Sequence, residues 1–186
     1  MSQELIIFLG PPGAGKGTQA EKYSELKSFA HISTGVMLRD HVESRTKLGV
    51  IAKDILDRGD LVSDDLVISM LQERLKEEDA GKGAILDGFP RTIPQAESLE
   101  DIGNEIQISA VVIFEVPEKI LIERMLNRGR DDDNEETIKQ RFEVYKQEVS
   151  PLISFYADNN LIKIDGVGDE GSIFSNLTMK LEPYLK

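Results

Sequence analysis

With 186 residues, 40% hydrophobic and 30% charged, the chain fits a single globular domain spanning 1–186 with an ordinary buried core. Its formal net charge of −12 argues against an extended nucleic-acid groove, and it makes any local basic cluster informative because that cluster works against the global field. The absence of cysteine excludes disulfides and thiolate metal sites, and the apolar run Leu5–Leu9 is too short for a signal sequence or a membrane span, so a cytoplasmic protein is expected.

In chain order, the run from Glu4 to Leu9 reads as a buried parallel strand, since it is apolar at both parities and ends in Gly-Pro. A helix is predicted over Lys16–Leu26 and a second strand over Phe29–Ile32. Polar and amphipathic helices follow over Gly35–Glu43, Lys47–Arg58 and Ser63–Glu78, with Gly59 and Gly81 as stops. A third strand is expected over Gly83–Asp87, a helix over Pro94–Ile102 stopped by Gly103, and a fourth strand over Ser109–Val116. Pro117 suits the first turn of the next helix, to Asn127. Asn134 can cap a longer helix that opens with Glu135 and Glu136 and is kinked or split by Pro151. Leu161–Ile164 completes the strands, and Ser172–Leu185 is the last helix. Short apolar strands alternating with helices imply a parallel sheet wrapped on both faces.

Between the first strand and helix lies Gly10-Pro11-Pro12-Gly13-Ala14-Gly15-Lys16-Gly17-Thr18, a match to G-x-x-x-x-G-K with the hydroxyl one residue late, at Thr18. Its glycines let successive backbone N–H groups converge on phosphate oxygens, the following helix points its positive end there, and Lys16 adds a mobile charge. A Gly-rich turn alone would not require this position between strand and helix, so the segment reads as a nucleotide-phosphate cradle.

Phosphoryl transfer needs cationic clamping more than covalent chemistry, and the arginine fork binds phosphate at two points. Arg39, Arg91, Arg128, Arg130 and Arg141 stand beside glycines or helix starts, whereas Arg45, Arg58 and Arg74 sit in polar stretches and read as surface. Asp87 ends the third strand, where open parallel sheets bind ligands, and its carboxylate suits Mg2+ held directly or through water. Asp131-Asp132-Asp133 reads either as a solvated acidic turn or as a partner for Arg128 and Arg130. His31 and His41 lack companion ligands, and Tyr23, Tyr145 and Tyr156 fall at packing positions.

Five segments together resemble the adenylate kinase family of the nucleoside monophosphate kinases in its short-lid form. They are Gly10–Thr18, Ser33–Gly35 with Leu38 and Arg39, Gly59–Val62, Asp87–Arg91 with Gln95, and Arg130–Arg141. The resemblance implies an α/β fold, a three-layer α/β/α sandwich with a five-stranded parallel sheet (the P-loop nucleoside monophosphate kinase fold). It further implies an AMP-binding excursion over 33–62 and a lid over 127–133. Carried over by position, Gly13, Ala14, Gly15, Lys16, Gly17 and Thr18 would hold ATP phosphates. Arg124 would lie against the ATP adenine, Gly168 would contact that base through its backbone, and Arg128 would face ATP. Thr34 and Gln95 would recognise the adenine of AMP, with Asp60, Leu61 and Val62 walling it. Gly88, Phe89 and Pro90 would belong to the AMP site, and Arg39 and Arg91 would clamp the AMP phosphate. Lys16, Arg91, Arg128, Arg130 and Arg141 would gather on the phosphates during transfer, and Asp87 would orient hydrated Mg2+.

Only Gly129 separates Arg128 from Arg130, where short-lid members usually have several residues, so the lid is unusually small. The inserted domain of long-lid forms is absent, and no zinc is expected. The implied partners are ATP, AMP and ADP, with no nucleic acid or membrane, and the implied state is a monomer. A UMP/CMP kinase on the same scaffold is the near alternative, against which Thr34 and Gln95 favour adenine. A P-loop regulatory ATPase or switch is the distant one, against which the second anion site at Arg39 and Arg91 stands.

Overall fold

The computed structural model describes residues 3–101, 106–130 and 133–185. Strands β1 (Gln3–Leu9), β2 (Ala30–Ser33), β3 (Gly83–Asp87), β4 (Ile106–Glu115) and β5 (Leu161–Asp165) pair in parallel in the order β2-β3-β1-β4-β5. Strand alternation divides the apolar run of β1 between two cores: Leu5, Ile7 and Leu9 enter one, Ile6 and Phe8 the other. Both faces are covered, which is why the strand is apolar at every position. Each such side chain removed from water contributes about 1.5–3 kcal/mol.

On the Leu5 face lie α2 (Thr34–Glu43), α3 (Lys47–Asp57), α4 (Asp64–Leu75), α5 (Ile93–Asp101) and the short α8 (Pro151–Phe155). On the Ile6 face lie α1 (Lys16–Lys27), α6 (Glu118–Arg128), α7 (Glu135–Val144) and α9 (Glu170–Leu181). The result is a three-layer α/β/α sandwich. Helices α2 and α3 meet at Gly49, where a Cβ would collide with the His41 carbonyl oxygen; no side chain fits that crossing.

Several boundaries differ from expectation for identifiable reasons. Helix α4 ends at Leu75 instead of running to Glu78, because Arg74 reaches Asp79 through two hydrogen bonds of 2.7 and 2.6 Å and the chain tightens into a 3-10 turn over Glu78–Lys82. Gly81 lies inside that turn and stops no helix. Arg74 is therefore an ion-paired residue with a side chain only 19% exposed, not a solvated one. Pro117 is the cap before α6 and not its first residue. Helix α9 starts two residues before Ser172, because the Asp169 carboxylate accepts the Ser172 N–H at 2.9 Å. Asn134 does cap α7, accepting from Thr137 N at 2.9 Å, and Pro151 does divide the segment after it: a π-turn over Tyr145–Val149 intervenes before α8. The stop at Gly103, the helix end at Ile102 and Asp131 and Asp132 lie outside the described residues.

The chain leaves β1 toward β2 and β3 on one side and returns on the other as β4. Open α/β sheets bind ligands where the strand order divides, beyond the carboxyl ends of the strands. Here that crevice opens beyond Leu9 and Asp87.

Candidate active site

A cavity of about 800 Å3 occupies this crevice. Its floor is the loop between β1 and α1. Gly13 turns with φ 81° against α6, where a Cβ would come within 2.8 Å of the Leu121 carbonyl oxygen, and Gly15 enters α1 with φ 88°. Side chains at either position would oppose the turn. Gly13, Ala14, Gly15, Lys16, Gly17 and Thr18 all line the cavity.

Lys16 Nζ donates to the carbonyl oxygens of Gly10 at 2.8 Å and Pro11 at 2.9 Å. Burial lowers its pKa to about 8, Asp87 opposes that shift, and Arg91 and Arg128 add to it. The ammonium thus stands among other cations and is short of anionic partners, the condition a phosphate would relieve.

At the end of β3, burial would raise the Asp87 pKa, but the facing His31 and the charges of Lys16 and Arg91 hold it below the ordinary carboxylate value. His31 Nε2 stands 3.7 Å from Asp87 Oδ2, too far for a hydrogen bond and near enough for attraction. A Cβ on Gly17 would lie 3.3 Å from Asp87 Oδ2, so the carboxylate sits against the loop between β1 and α1. Mg2+ usually keeps several waters and binds through one or two carboxylates plus substrate phosphates, and an ionised Asp87 beside that loop fits this donor set. Among the described residues no group of three or more His, Asp or Glu side chains could hold a metal by itself.

Across Asp87 the second set converges. A Cβ on Gly35 would have Arg39 Nη1 and Nη2 at 3.5 Å and Arg91 Nη2 at 3.6 Å, so both guanidinium groups meet over the start of α2. Arg91 Nε donates to Gly88 O at 2.9 Å. Burial lowers the Arg91 pKa and Asp87 opposes this, while nearby Arg141 and Arg39 push it further down. Like charges held together inside a cavity are an arrangement that a bound anion would relieve. Thr34 donates its hydroxyl to Gly88 O at 2.7 Å, and Gln95 accepts from Arg91 N at 2.8 Å. Asp60, Leu61, Val62, Gly88 and Pro90 line the same region. Phe89 does not: its ring is fully buried in the core, so any share it has in binding runs through the backbone.

Arg124, Arg128, Arg130, Arg141 and Gly168 also line the cavity, Arg141 near enough to Arg91 to lower its pKa. Arg124 Nη2 donates to Gly166 O at 2.8 Å, which brings it beside the Gly166–Gly168 loop. Asp133 organises the cations. Its side chain is fully buried, accepts from Arg128 Nε and Nη2 at 2.9 and 2.7 Å, from Arg141 Nη1 at 2.9 Å, and from Arg130 N at 3.3 Å. Burial would raise its pKa, but these donors hold it below the ordinary value. Of the two sequence readings of the aspartate run, pairing holds for Asp133. That it reaches Arg141, eight residues on, was not legible in the run. Leu56, Val67, Tyr145 and Val149 also line the cavity; the sequence reading placed Tyr145 at a packing position and singled out none of the other three.

A family model described as "Adenylate kinase" matches residues 8–161. The chain is 48% identical over 179 residues to a protein named adenylate kinase from Parasynechococcus marenigrum, covering 95% of this chain and 97% of the relative. It is 50% identical over 169 residues to one from Trichodesmium erythraeum, covering 87% and 88%. It is 43% identical over 185 residues to one from Thermus thermophilus, covering 96% and 97%.

Proposed function

This chain belongs to the adenylate kinase family, and from that premise we infer that it transfers a phosphoryl group reversibly between ATP and AMP, giving two ADP. It is a phosphotransferase of the nucleoside monophosphate kinase class. The carrying observation is one cavity with two anion sites, the amide loop with Lys16 and the paired Arg39 and Arg91, separated by Asp87. One nucleotide polyphosphate would not need both. UMP or CMP is not favoured as acceptor, given relatives named adenylate kinase and the Thr34 and Gln95 pair on the acceptor wall.

In the proposed mechanism the loop from Gly13 to Thr18 holds the ATP phosphates, and Lys16 sits against the β- and γ-phosphates. Arg39 and Arg91 orient the AMP phosphate so that one of its oxygens attacks the γ-phosphorus as the bond from that phosphorus to the bridging β-oxygen breaks. Arg128, Arg130 and Arg141 take up the charge that spreads over the transferred group. Asp133 gathers Arg128 and Arg141 on one carboxylate, which lowers the entropic cost of clamping. Mg2+ bound with ATP would neutralise phosphate charge, and Asp87 is the residue we assign to orient it. Arg124 and Gly168 would hold the ATP adenine; Thr34, Gln95 and the 60–62 backbone would hold that of AMP. We assign exclusion of water to closure of the 33–62 excursion and the 127–133 lid over the cavity between them. Among the described residues no helix is long and apolar enough to cross a membrane. A cytoplasmic monomer is the state we propose, on the strength of the family resemblance.

A coupled assay tests the reading: diphosphate formation from ATP and Mg2+ with AMP, dAMP, UMP, CMP or GMP offered separately. AMP should give the highest kcat/KM by a wide margin. Preference for UMP or CMP would move the chain to the pyrimidine enzymes, and ATP consumption without any monophosphate would favour a regulatory ATPase.

A further inference from the structure

Gln95 is 2% exposed yet lines the acceptor end of the cavity. A primary amide has an ambiguous outline, and its partners decide which end is oxygen. Here both partners are one-way. Arg91 N–H can only donate, and it donates to Gln95 Oε1 at 2.8 Å. The Asp64 carboxylate can only accept, and its Oδ1 takes Gln95 Nε2–H at 2.8 Å. The same Oδ1 accepts the Thr92 hydroxyl at 3.0 Å, and Thr92 Oγ1 in turn accepts Gln95 N–H at 3.3 Å. Turning the amide over would set Nε2 against the Arg91 N–H and Oε1 against the carboxylate. Both contacts would become repulsive in a site with little water to relieve them.

We propose that Asp64 is a positioning residue for purine choice: by fixing the Gln95 amide in one orientation, it makes the acceptor site select a 6-aminopurine over a 6-oxopurine monophosphate. The inference rests on Gln95 facing the acceptor base. With its oxygen and nitrogen fixed, the amide keeps one N–H and one lone pair for a ligand. That pair matches adenine, which sets a ring-nitrogen acceptor beside its amino donor. Hypoxanthine presents the reverse pattern at N1 and O6, and only the flipped amide matches it. Asp64 stands in the first turn of α4, 31 residues from Gln95, so an ordinary N-terminal helix acid carries a discriminating role.

The test compares kcat/KM for AMP and for IMP in wild type and in Asp64→Leu, Asp64→Ala, Asp64→Asn and Gln95→Leu, with thermal melting of each. Asp64→Leu and Asp64→Ala should lower the AMP-to-IMP ratio about tenfold, mostly by losing AMP. Asp64→Asn should retain the ratio within about threefold, because both bonds use a single oxygen that an asparagine amide also offers. A purely structural Asp64 would lower both substrates alike and leave the ratio unmoved in both truncations, which overturns the proposal. Should Gln95→Leu leave the ratio unchanged, Gln95 does not face the base and the premise itself fails. A shift in Gln95→Leu without one in the Asp64 truncations rejects the positioning role alone.

Discussion

Arg91→Ala should lower kcat/KM for AMP by about 10^3-fold, the scale seen when an arginine is removed from phosphoryl-transfer sites, while the KM for ATP changes little. Arg91 sits where the acceptor phosphate is proposed to lie, its fork meeting that of Arg39 over the start of α2 and its Nε anchored on Gly88 O at 2.9 Å. Burial and the neighbouring Arg141 and Arg39 all disfavour its charge, so in the free protein this cation is held in place at a cost. Removing it relieves repulsion, and the melting temperature should stay equal or rise. Lysine at this position would restore little, since a point charge cannot replace a planar fork. Near-normal AMP-dependent turnover in Arg91→Ala would remove the residue from the acceptor site.

For Lys16→Met we expect two opposite effects: turnover falls by at least about 10^2-fold, and the free protein becomes more stable. A lysine with a pKa of about 8 in the fold and 10.5 outside it destabilises the charged folded form by about 3 kcal/mol. Cavity water screens part of this, and the two hydrogen bonds from Nζ to the Gly10 and Pro11 carbonyls are lost, so the expected gain is about 1–3 kcal/mol at pH 7. The sign with pH follows from proton counting. Between about pH 8 and 10.5 the unfolded chain binds more protons at Lys16 than the folded one, so wild-type stability gains from this residue as pH rises through that window. Lys16→Met should lack that gain. Urea unfolding at pH 7 and pH 9.5 measures both, with the gap between the proteins narrowing at the higher pH. A substitution that destabilises the free protein at pH 7 would show that the ammonium is comfortable where it lies and is not awaiting a phosphate.

The parts legible in the sequence were those governed by local physics. The apolar run of β1 announced a strand covered on both sides, the glycines before Lys16 announced a tight turn into a helix, and Asn134 announced a helix start. Misplaced boundaries lay where a side chain competed with propensity. The stretch after Leu75 is helix-compatible in composition, but Arg74 pairs with Asp79 and closes the helix early. Asp169 reaches Ser172 across Gly171, a residue whose usual meaning is the end of a helix.

In the site, single residues were legible by motif and their partnerships were not. Asp133 was one of three adjacent aspartates, and nothing in that run marks it as buried against Arg128 and Arg141. Asp64 looked like any first-turn acid, and its tie to Gln95 exists only because α4 packs beside α5. Conversely, Phe89 lies within a binding motif, yet strand-end geometry buries its ring in the core.

Calorimetric titration with a dinucleoside polyphosphate bearing adenosine at both ends is the most direct test of two facing nucleotide sites. One molecule should bind per chain, far more tightly than ATP or AMP alone, because the second end docks intramolecularly once the first is held. Arg91→Ala and Lys16→Met should each reduce that affinity toward the value for a single nucleotide. Two ligands per chain, or affinity no better than that of ATP, would contradict the arrangement.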